Sequence, residues 1–288
     1  MALPQPREVE VSGRVVGVYE YGDPSGSPVM VFHGTPACGA GFAWADAPAR
    51  ERGLRVIAPD RPGVGSSSRL PSWTVADYPP LVGALADALG VEQFAVWGYS
   101  GGGPYAVACA ALLADRVTAT AVAAGMGQSG VWAKPEDFEK TDRQMIELAT
   151  KRPWQARLML GMTGRLARSF PKTAMKSFEK QLNARALEVA STLGSPTEVM
   201  ALFTQAFTHG AHGVVADYAA LAQPWGCAVE DIRVPLAIFH GDADTMVPLR
   251  HSEELAARVP GARLNVWPGE GHLGTVTHAG EVLDSLVS

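Results

Sequence analysis

The 288-residue chain has few cysteines and few charged residues, and both shortages limit what it can be. Its three cysteines lie far apart and form no CxxC pair, which excludes a disulfide framework and zinc-ligand spacing. Charged residues make up only 18% of the chain and hydrophobic residues 47%, which excludes an intrinsically disordered protein. We therefore expect reduced cysteines and a large apolar core.

Three further absences concern partners and location. The net charge is −5, so no excess of positive charge would attract nucleic acid. The longest weakly polar run, residues 106–127, is interrupted by Asp115 and Arg116, whereas a bilayer span needs about 20 consecutive apolar residues. The N-terminus lacks the basic and apolar regions of a secretory signal. We expect a small-molecule partner, neither nucleic acid nor a membrane, and a cytoplasmic location. Composition indicates no oligomeric state.

Short apolar runs alternate with helical patterns up to residue 127 and again after residue 232. A hairpin is predicted around Ser12-Gly13, followed by strands that are buried on both faces. The predicted buried strands cover residues 28–33, 54–59, 93–100, 117–125 and 235–240, and a further strand is predicted at residues 262–267. This alternation predicts the α/β class, with a mostly parallel central sheet, right-handed crossovers and helices on both faces.

Residues 128–232 have another pattern, in which helical segments follow one another without strands. Because this insert interrupts one sheet, we expect a core of residues 1–127 and 233–288 and a helical cap of residues 128–232. Ligands of such sheets bind beyond the carboxyl ends of the strands, where the cap would lie. Large apolar side chains of the insert, such as Trp154, Met162, Phe170 and Phe207, could line a pocket, although most are expected to form the core of the cap.

The sharpest motif is Gly98-Tyr99-Ser100-Gly101-Gly102, between an apolar strand and an apolar helix. A nucleophilic serine on a tight strand-to-helix turn needs small residues two positions before and after it, and Gly98 and Gly102 meet that need. GxSxG alone also occurs by chance in a glycine-rich chain. Its context favours a nucleophile elbow that presents Ser100.

A nucleophilic serine needs a base, and His272 is the best placed of the seven histidines. In the chain order Ser, acid, His, the base follows the last strand, and His272 lies there in a glycine-rich loop. The orienting acid should follow the strand that ends near residue 240, where Asp242 and Asp244 are both available. One of the two is expected to be catalytic and the other to cap the turn or the next helix.

A negatively charged intermediate also needs fixed hydrogen-bond donors. The Gly101 N–H lies at the start of a predicted helix, whose dipole favours negative charge. The loop after the strand at residues 28–33 reads His33-Gly34-Thr35-Pro36. Pro36 has no N–H, so Thr35 is the candidate second donor.

These motifs together resemble the α/β-hydrolase superfamily, in particular its capped single-domain serine hydrolases, over nearly the whole chain. The marks are His33-Gly34-Thr35-Pro36, the turn from Asp60 to Ser66, the Ser100 elbow, Gly241-x-x-Asp244-x-x-Val247-Pro248 and Gly271-His272. The resemblance implies that Asp244 is the triad acid, and it supports Thr35 as an oxyanion donor. Dehalogenases and epoxide hydrolases of the family have Asp at the elbow, so Ser100 argues against both.

The predicted function is hydrolysis of a small, largely apolar carboxylic ester, thioester or lactone through a Ser-His-Asp triad and an acyl-enzyme, without metal or organic cofactor. His209 and His212 are three residues apart, but no third metal ligand accompanies them. The alternatives are cofactor-independent peroxidase, C–C hydrolase or lyase chemistry on the same triad, and a ligand-binding receptor with slow turnover.

Overall fold

The computed structural model describes residues 3–287 and contains one eight-stranded sheet. The strands, in chain order, are β1 (Arg7–Val11), β2 (Arg14–Gly22), β3 (Ser27–Phe32), β4 (Leu54–Pro59), β5 (Phe94–Tyr99), β6 (Val117–Ala123), β7 (Leu236–Gly241) and β8 (Arg263–Trp267). Their order in the sheet is β1-β2-β4-β3-β5-β6-β7-β8. β2 pairs antiparallel with β1 and β4, and the neighbours from β4 to β8 are parallel. The predicted α/β class with a mostly parallel sheet is confirmed.

Twelve helices are assigned within residues 3–287. They are α1 (Asp46–Glu51), α2 (Tyr78–Ala88), α3 (Gly103–Leu112), α4 (Lys140–Lys151), α5 (Pro153–Ser169), α6 (Pro171–Glu179), α7 (Ala184–Thr192), α8 (Pro196–Gln205), α9 (His212–Leu221), α10 (Arg250–Arg258), α11 (Gly274–Thr277) and α12 (Ala279–Asp284). Short 3₁₀ segments cover Gly39–Ala45, Val75–Asp77, Ser100–Gly102, Pro135–Asp137 and Val229–Asp231. No helix in this described part is long and apolar enough to cross a membrane.

The predicted hairpin forms where the sequence places it. Ser12 and Gly13 both have positive φ, at 51° and 73°, which is the geometry of a two-residue turn whose twist matches that of the paired strands. One helix differs from the prediction. The pattern of residues 274–287 predicts a single closing helix, but this segment breaks at His278 between α11 and α12. The His278 ring stacks on Trp267 at 4.7 Å between ring centroids.

Apolar side chains cover both faces of the sheet. Successive residues of a strand point to opposite faces, so Val96 joins one buried cluster and Trp97 the other. In β3, Phe32 and Val31 divide in the same way. The sheet is therefore the middle layer of a three-layer sandwich, and the loops after its parallel strands meet at one edge.

Helices α4 to α9 lie between β6 and β7 in the chain, within residues 128–232, which we call the insert. A third apolar cluster joins the insert to the loop that follows β8, since Leu273 packs with Leu182 and Val189. A second attachment lies on α9, where Gly213 is so close to Gly63 that a Cβ at position 213 would overlap the Gly63 carbonyl. The insert thus contacts the sheet-bearing part of the chain at both places.

Candidate active site

Ser100 lies on a tight turn between β5 and α3, and its backbone φ of +54° is unusual for a residue with a side chain. The turn needs glycine on both sides. A Cβ at Gly98 would lie 2.5 Å from the Gly102 carbonyl oxygen, and one at Gly102 would overlap the carbonyl oxygen of Phe32. The sequence motif therefore folds as a tight strand-to-helix elbow with Ser100 at the carboxyl end of the sheet, the geometry expected for a nucleophilic serine.

A chain of hydrogen bonds joins the three side chains that the sequence singled out. The Ser100 Oγ lies 3.1 Å from Nε2 of His272, and Nδ1 of His272 lies 2.8 Å from Oδ2 of Asp244. Ser100 and His272 are nearly buried, and the Asp244 side chain is fully buried. With the imidazole proton on Nδ1, Nε2 is free to accept a proton from the serine.

The two aspartates after β7 have different environments. Asp244 Oδ1 accepts hydrogen bonds from the N–H groups of Met246 and Val247, whereas Oδ2 faces His272 at 2.8 Å and Nε2 of His240 at 3.3 Å. Asp242 is exposed, and its Oδ1 accepts from the Gly269 N–H at 2.7 Å. Asp242 thus stabilises the loop that leads to His272 but does not contact the histidine.

Charges around the histidine bring about opposite pKa shifts. Burial raises the pKa of Asp244, but His272 and His240 outweigh burial and leave this pKa well below its usual range. Burial lowers the pKa of His272, yet the carboxylates of Asp244 and Asp142 prevail and leave it raised. Asp244 is therefore ionised in the fold, and a proton on His272 is stabilised.

The loop after β3 lies directly against the elbow. A Cβ at Gly34 would lie 3.2 Å from the Ser100 Cβ, and one at Gly101 would lie 3.2 Å from the Thr35 nitrogen. The structure thus brings Thr35 and Gly101 together beside Ser100. Within residues 3–287 the Thr35 N–H donates to no protein acceptor. Both candidate donors thus lie in the immediate surroundings of the Ser100 side chain.

A buried ion pair supports this loop, and the sequence analysis did not identify it. Arg61 donates through Nε and Nη2 to both oxygens of Asp217, at 2.8 and 2.6 Å, and neither side chain is exposed by more than 2%. Arg61 also donates to the carbonyl oxygens of His33 and Gly34. The Thr35 hydroxyl accepts from Arg61 and donates to Asp217.

Asp217 lies on α9 of the insert, so this ion pair ties the insert to the loop that carries Thr35. The Tyr105 hydroxyl also donates to Asp217, at 2.7 Å. A single carboxylate in the otherwise apolar segment from Val214 to Leu221 was the signal available in the sequence. Its partner could not be read there, because 156 residues separate the pair.

We expect the replacement of Asp217 by Ala to lower the free energy of unfolding by about 3–5 kcal/mol, because Arg61 would keep a buried charge without a partner. Urea unfolding would measure the change. The matched control is Asp284→Ala at the protein surface, where Arg52 donates to both carboxylate oxygens in the same way. That variant should lose no more than about 1 kcal/mol. Equal losses in the two variants would contradict the prediction.

The turn from Asp60 to Ser66 has a structural role. The Asp60 carboxylate accepts from the N–H groups of Gly39 and Ser66, and burial raises the pKa of Asp60 to about 7. Gly65 has positive φ and lies against this carboxylate. The buried His33 ring accepts from the Arg61 N–H through Nε2, and burial holds its pKa well below the usual value.

The insert also contacts the loops that hold Asp244 and His272. Asn183 donates to the Ala243 carbonyl oxygen at 2.8 Å, and Arg185 pairs with Glu270 at 3.0 Å. Asp142 of α4 accepts from the Tyr218 hydroxyl at 2.7 Å and acts electrostatically on His272. Asp142 was likewise missed by the sequence analysis, since nothing in its local pattern distinguishes it from a surface residue of a helix.

Some large apolar side chains of the insert are not part of a buried core. Trp154, Met162 and Phe170 are 59%, 45% and 60% exposed, so these three do not belong to the cap core that was expected for most such residues. Phe207, by contrast, is buried and packs against Gly164 of α5.

Comparison with known proteins agrees with this geometry. The sequence profile of the alpha/beta hydrolase fold family matches residues 27–279. A Caulobacter sp. (strain K31) protein is 29% identical, with 92% of each chain covered, and is named as carbamate hydrolase RutD, a name that marks the activity as provisional. The 2-hydroxymuconate semialdehyde hydrolase of Pseudomonas putida is 25% identical over 95% of this chain and 89% of its own.

Among solved structures, the enol-lactonase from Burkholderia xenovorans LB400 superimposes with a TM-score of 0.69. It is 21% identical, and the match covers 98% of this chain and 100% of that one. This likeness concerns the fold. The family match spans most of the chain and includes the Ser100 elbow and the His272 loop. The chain therefore belongs to the family of the alpha/beta hydrolase fold, and its enzyme class is that of an esterase-like hydrolase.

Proposed function

We propose that this protein is a serine hydrolase that cleaves a small, largely apolar carboxylic ester, thioester or lactone. Ser100 is the nucleophile, His272 the general base and Asp244 the residue that orients the histidine. The observation that carries the proposal is the continuous hydrogen-bond chain from Ser100 through His272 to Asp244, at 3.1 and 2.8 Å. Three such side chains, joined in order at a strained elbow, are the arrangement that nucleophilic catalysis requires.

In the first half of the reaction, the Ser100 Oγ attacks the substrate carbonyl carbon while Nε2 of His272 takes the hydroxyl proton. The N–H groups of Thr35 and Gly101 donate to the oxygen that becomes negatively charged. His272 then protonates the leaving alcohol or thiol, and an acyl-enzyme remains on Ser100. In the second half, a water molecule gives its proton to His272 and attacks the acyl carbon, which releases the acid and restores Ser100.

We further propose that residues 128–232 form a cap over this site, and that residues 1–127 and 233–288 form the catalytic core. The contacts of Asn183, Arg185 and Asp217 with the three site loops support the arrangement. A cap would exclude water from the reacting groups, which strengthens every electrostatic interaction among them. Its inner side chains would set the substrate preference.

Cleavage of a C–C bond is the second candidate, because one full-length relative is named for such a substrate class, a semialdehyde of 2-hydroxymuconate. The two chemistries share Ser100 and His272. A receptor with slow turnover is the third candidate. A phosphonate would still label such a receptor, but the receptor would release little product from any substrate.

The deciding experiment combines active-site labelling with a substrate panel. A fluorophosphonate should label the purified protein at one serine, and 4-nitrophenyl esters from acetate to decanoate should be turned over. Aliphatic lactones and a 2-hydroxy-6-oxo dienoate complete the panel. The ratio kcat/KM ranks them, because it measures differential binding of the transition state. Short-chain acyl thioesters are assayed beside them, and labelling without turnover of any ester, thioester or lactone would overturn the proposal.

The pH profile provides a separate prediction. We expect Asp142→Asn to lower the pKa of His272, because the variant removes one of the two carboxylates that stabilise the imidazolium. The histidine must be neutral to act as a base, so the acidic limb of kcat/KM should move to lower pH and activity should persist in more acidic solution. Asp115→Asn, on the exposed loop after α3, is the control and should leave the limb unchanged. A shift to higher pH in Asp142→Asn would contradict the assignment.

A further inference from the structure

Helix α5 carries a row of large apolar side chains on its outer side. Five residues at intervals of four are each 45–60% exposed, namely Trp154, Leu158, Met162 and Leu166 within α5 and Phe170 directly after its last residue. We call this row the α5 ridge. Residues four apart are neighbours along a helix surface, and the part of the ridge within α5 is about 18 Å long at 1.5 Å per residue.

The opposite side of α5 makes the buried contacts of this helix. Ala156, Leu160, Gly164 and Ala167 are buried there, and Gly164 lies directly against the Phe207 ring. The α5 ridge lies outside this buried side and presents about half of its side-chain surface to solvent. Exposed apolar side chains that are contiguous on a surface typically mark an interaction site.

The surroundings of the ridge are strongly basic. Residues 148–178 contain no aspartate or glutamate, although the whole chain carries a net charge of −5. The same 31 residues contain seven cations, namely Lys151, Arg152, Arg157, Arg165, Arg168, Lys172 and Lys176. Among the ion pairs within residues 3–287, only the pair of Lys151 with Glu147 involves this segment. The ridge is thus bordered by positive charge that the protein does not neutralise.

This charge restricts the choice of partner. Two copies of the chain that met through the same surface would bring Arg157, Arg165 and Arg168 towards their own counterparts, which opposes association. The complementary partner must be negatively charged and must also accept a long row of apolar side chains. A helix with apolar side chains in a row and basic side chains beside them has the composition of interfacial membrane helices.

We propose that α5 docks the protein on an anionic phospholipid surface, with the α5 ridge at the boundary of headgroups and acyl chains and the flanking cations against the headgroups. The helix would lie flat on the bilayer and would not cross it. The expectation of no membrane partner rested on the absence of a spanning segment, which does not bear on a helix in this orientation. The proposal does not depend on the catalytic assignment.

Cosedimentation with vesicles tests the proposal directly. The intact protein should bind vesicles of phosphatidylcholine and phosphatidylglycerol in a 7:3 ratio and should bind vesicles of phosphatidylcholine alone at least about 25-fold more weakly, because each cation near an anionic surface adds about fivefold to the partition coefficient. Binding should fall steeply in 1 M salt, where charges beyond about 3 Å are screened.

Two double variants separate the apolar contribution from the electrostatic one. Leu158→Gln with Leu166→Gln should weaken vesicle binding about tenfold or more, because each methylene removed from the acyl boundary weakens partitioning by about fourfold. Its matched control is Leu112→Gln with Val287→Gln, at two exposed apolar positions outside the insert. Arg165→Glu with Arg168→Glu should also abolish the preference for the anionic vesicles, whereas Arg14→Glu with Arg263→Glu should retain it.

Circular dichroism and turnover of a short-chain ester check that each variant folds. Equal binding to neutral and anionic vesicles would overturn the proposal, as would no binding to either. A dimer in solution that dissociates in the Leu158→Gln, Leu166→Gln variant would assign the α5 ridge to a subunit interface instead. Retention of full vesicle binding by both double variants would place the lipid contact elsewhere on the protein.

Discussion

Replacing Ser100 with Ala should abolish phosphonate labelling and lower kcat by a factor that approaches about 10⁶, the loss typical of a serine nucleophile. Single-turnover kinetics on the best ester of the panel would measure it. The fold should remain intact, because Ala keeps the Cβ and the elbow is built by backbone contacts at Gly98 and Gly102. The strain of the positive φ at position 100 should also remain, since Ala disfavours positive φ as Ser does.

The matched control is Ser191→Ala, at an exposed serine of α7 whose hydroxyl donates to a backbone carbonyl. That variant should label and turn over as the parent protein does. His272→Ala should lose about as much activity as Ser100→Ala, and the double variant should lose little more, because residues that act as a unit have losses that do not add. A Ser100→Ala variant that still labels at the original rate would refute the assignment of the nucleophile.

The second large effect separates the two aspartates. Asp244→Asn should lower kcat by about 10⁴, by analogy with the same replacement in serine proteases. The geometry gives the reason. The amide oxygen would replace Oδ1 and accept from the N–H groups of Met246 and Val247, which turns the NH₂ group towards Nδ1 of His272. His272 must then carry its proton on Nε2, where it can no longer accept from Ser100.

Asp242→Asn should leave kcat nearly unchanged and cost about 1 kcal/mol of stability or less, since the amide oxygen can still accept from the Gly269 N–H. The pair of variants is well matched, because both residues lie in one loop and undergo the same change. Steady-state kinetics and urea unfolding of both variants measure the two effects. If Asp242→Asn lost the activity and Asp244→Asn kept it, the assignment of Asp244 as the triad acid would be wrong. The assignments of Ser100 and His272 would be unaffected.

The sequence predicted those parts of the fold that depend on local patterns. Buried strands such as β4 and β7 were recognisable as short apolar runs between turns, and the glycines around Ser100 fixed the elbow by steric need alone. The break at His278 was not predictable, because it coincides with a stacking contact to Trp267 rather than with a glycine or proline. Helical periodicity continues through that position without interruption.

Site residues that depend on distant partners could not be predicted. Arg61 and Asp217 meet only after the insert folds onto the core, and the role of Asp142 depends on where α4 lies relative to His272. The α5 ridge shows the same limit in another form. Trp154 and Leu160 are equally apolar in sequence, yet one is exposed and the other buried, and only the packing partners of α5 decide which.

The ion pair of Arg61 with Asp217 also determines how this enzyme could be recombined with its relatives. Exchange of the whole insert would remove α9 and with it Asp217, the partner of Arg61 beneath the Thr35 loop, and any bulkier residue in place of Gly213 would collide with Gly63. In such an exchange, α9 should therefore be kept together with the sheet-bearing part of the chain, although α9 lies within the insert in chain order. A chimera that retains the parental α9 and replaces only the helices before it would preserve both contacts, and its crossover point should fall before His212.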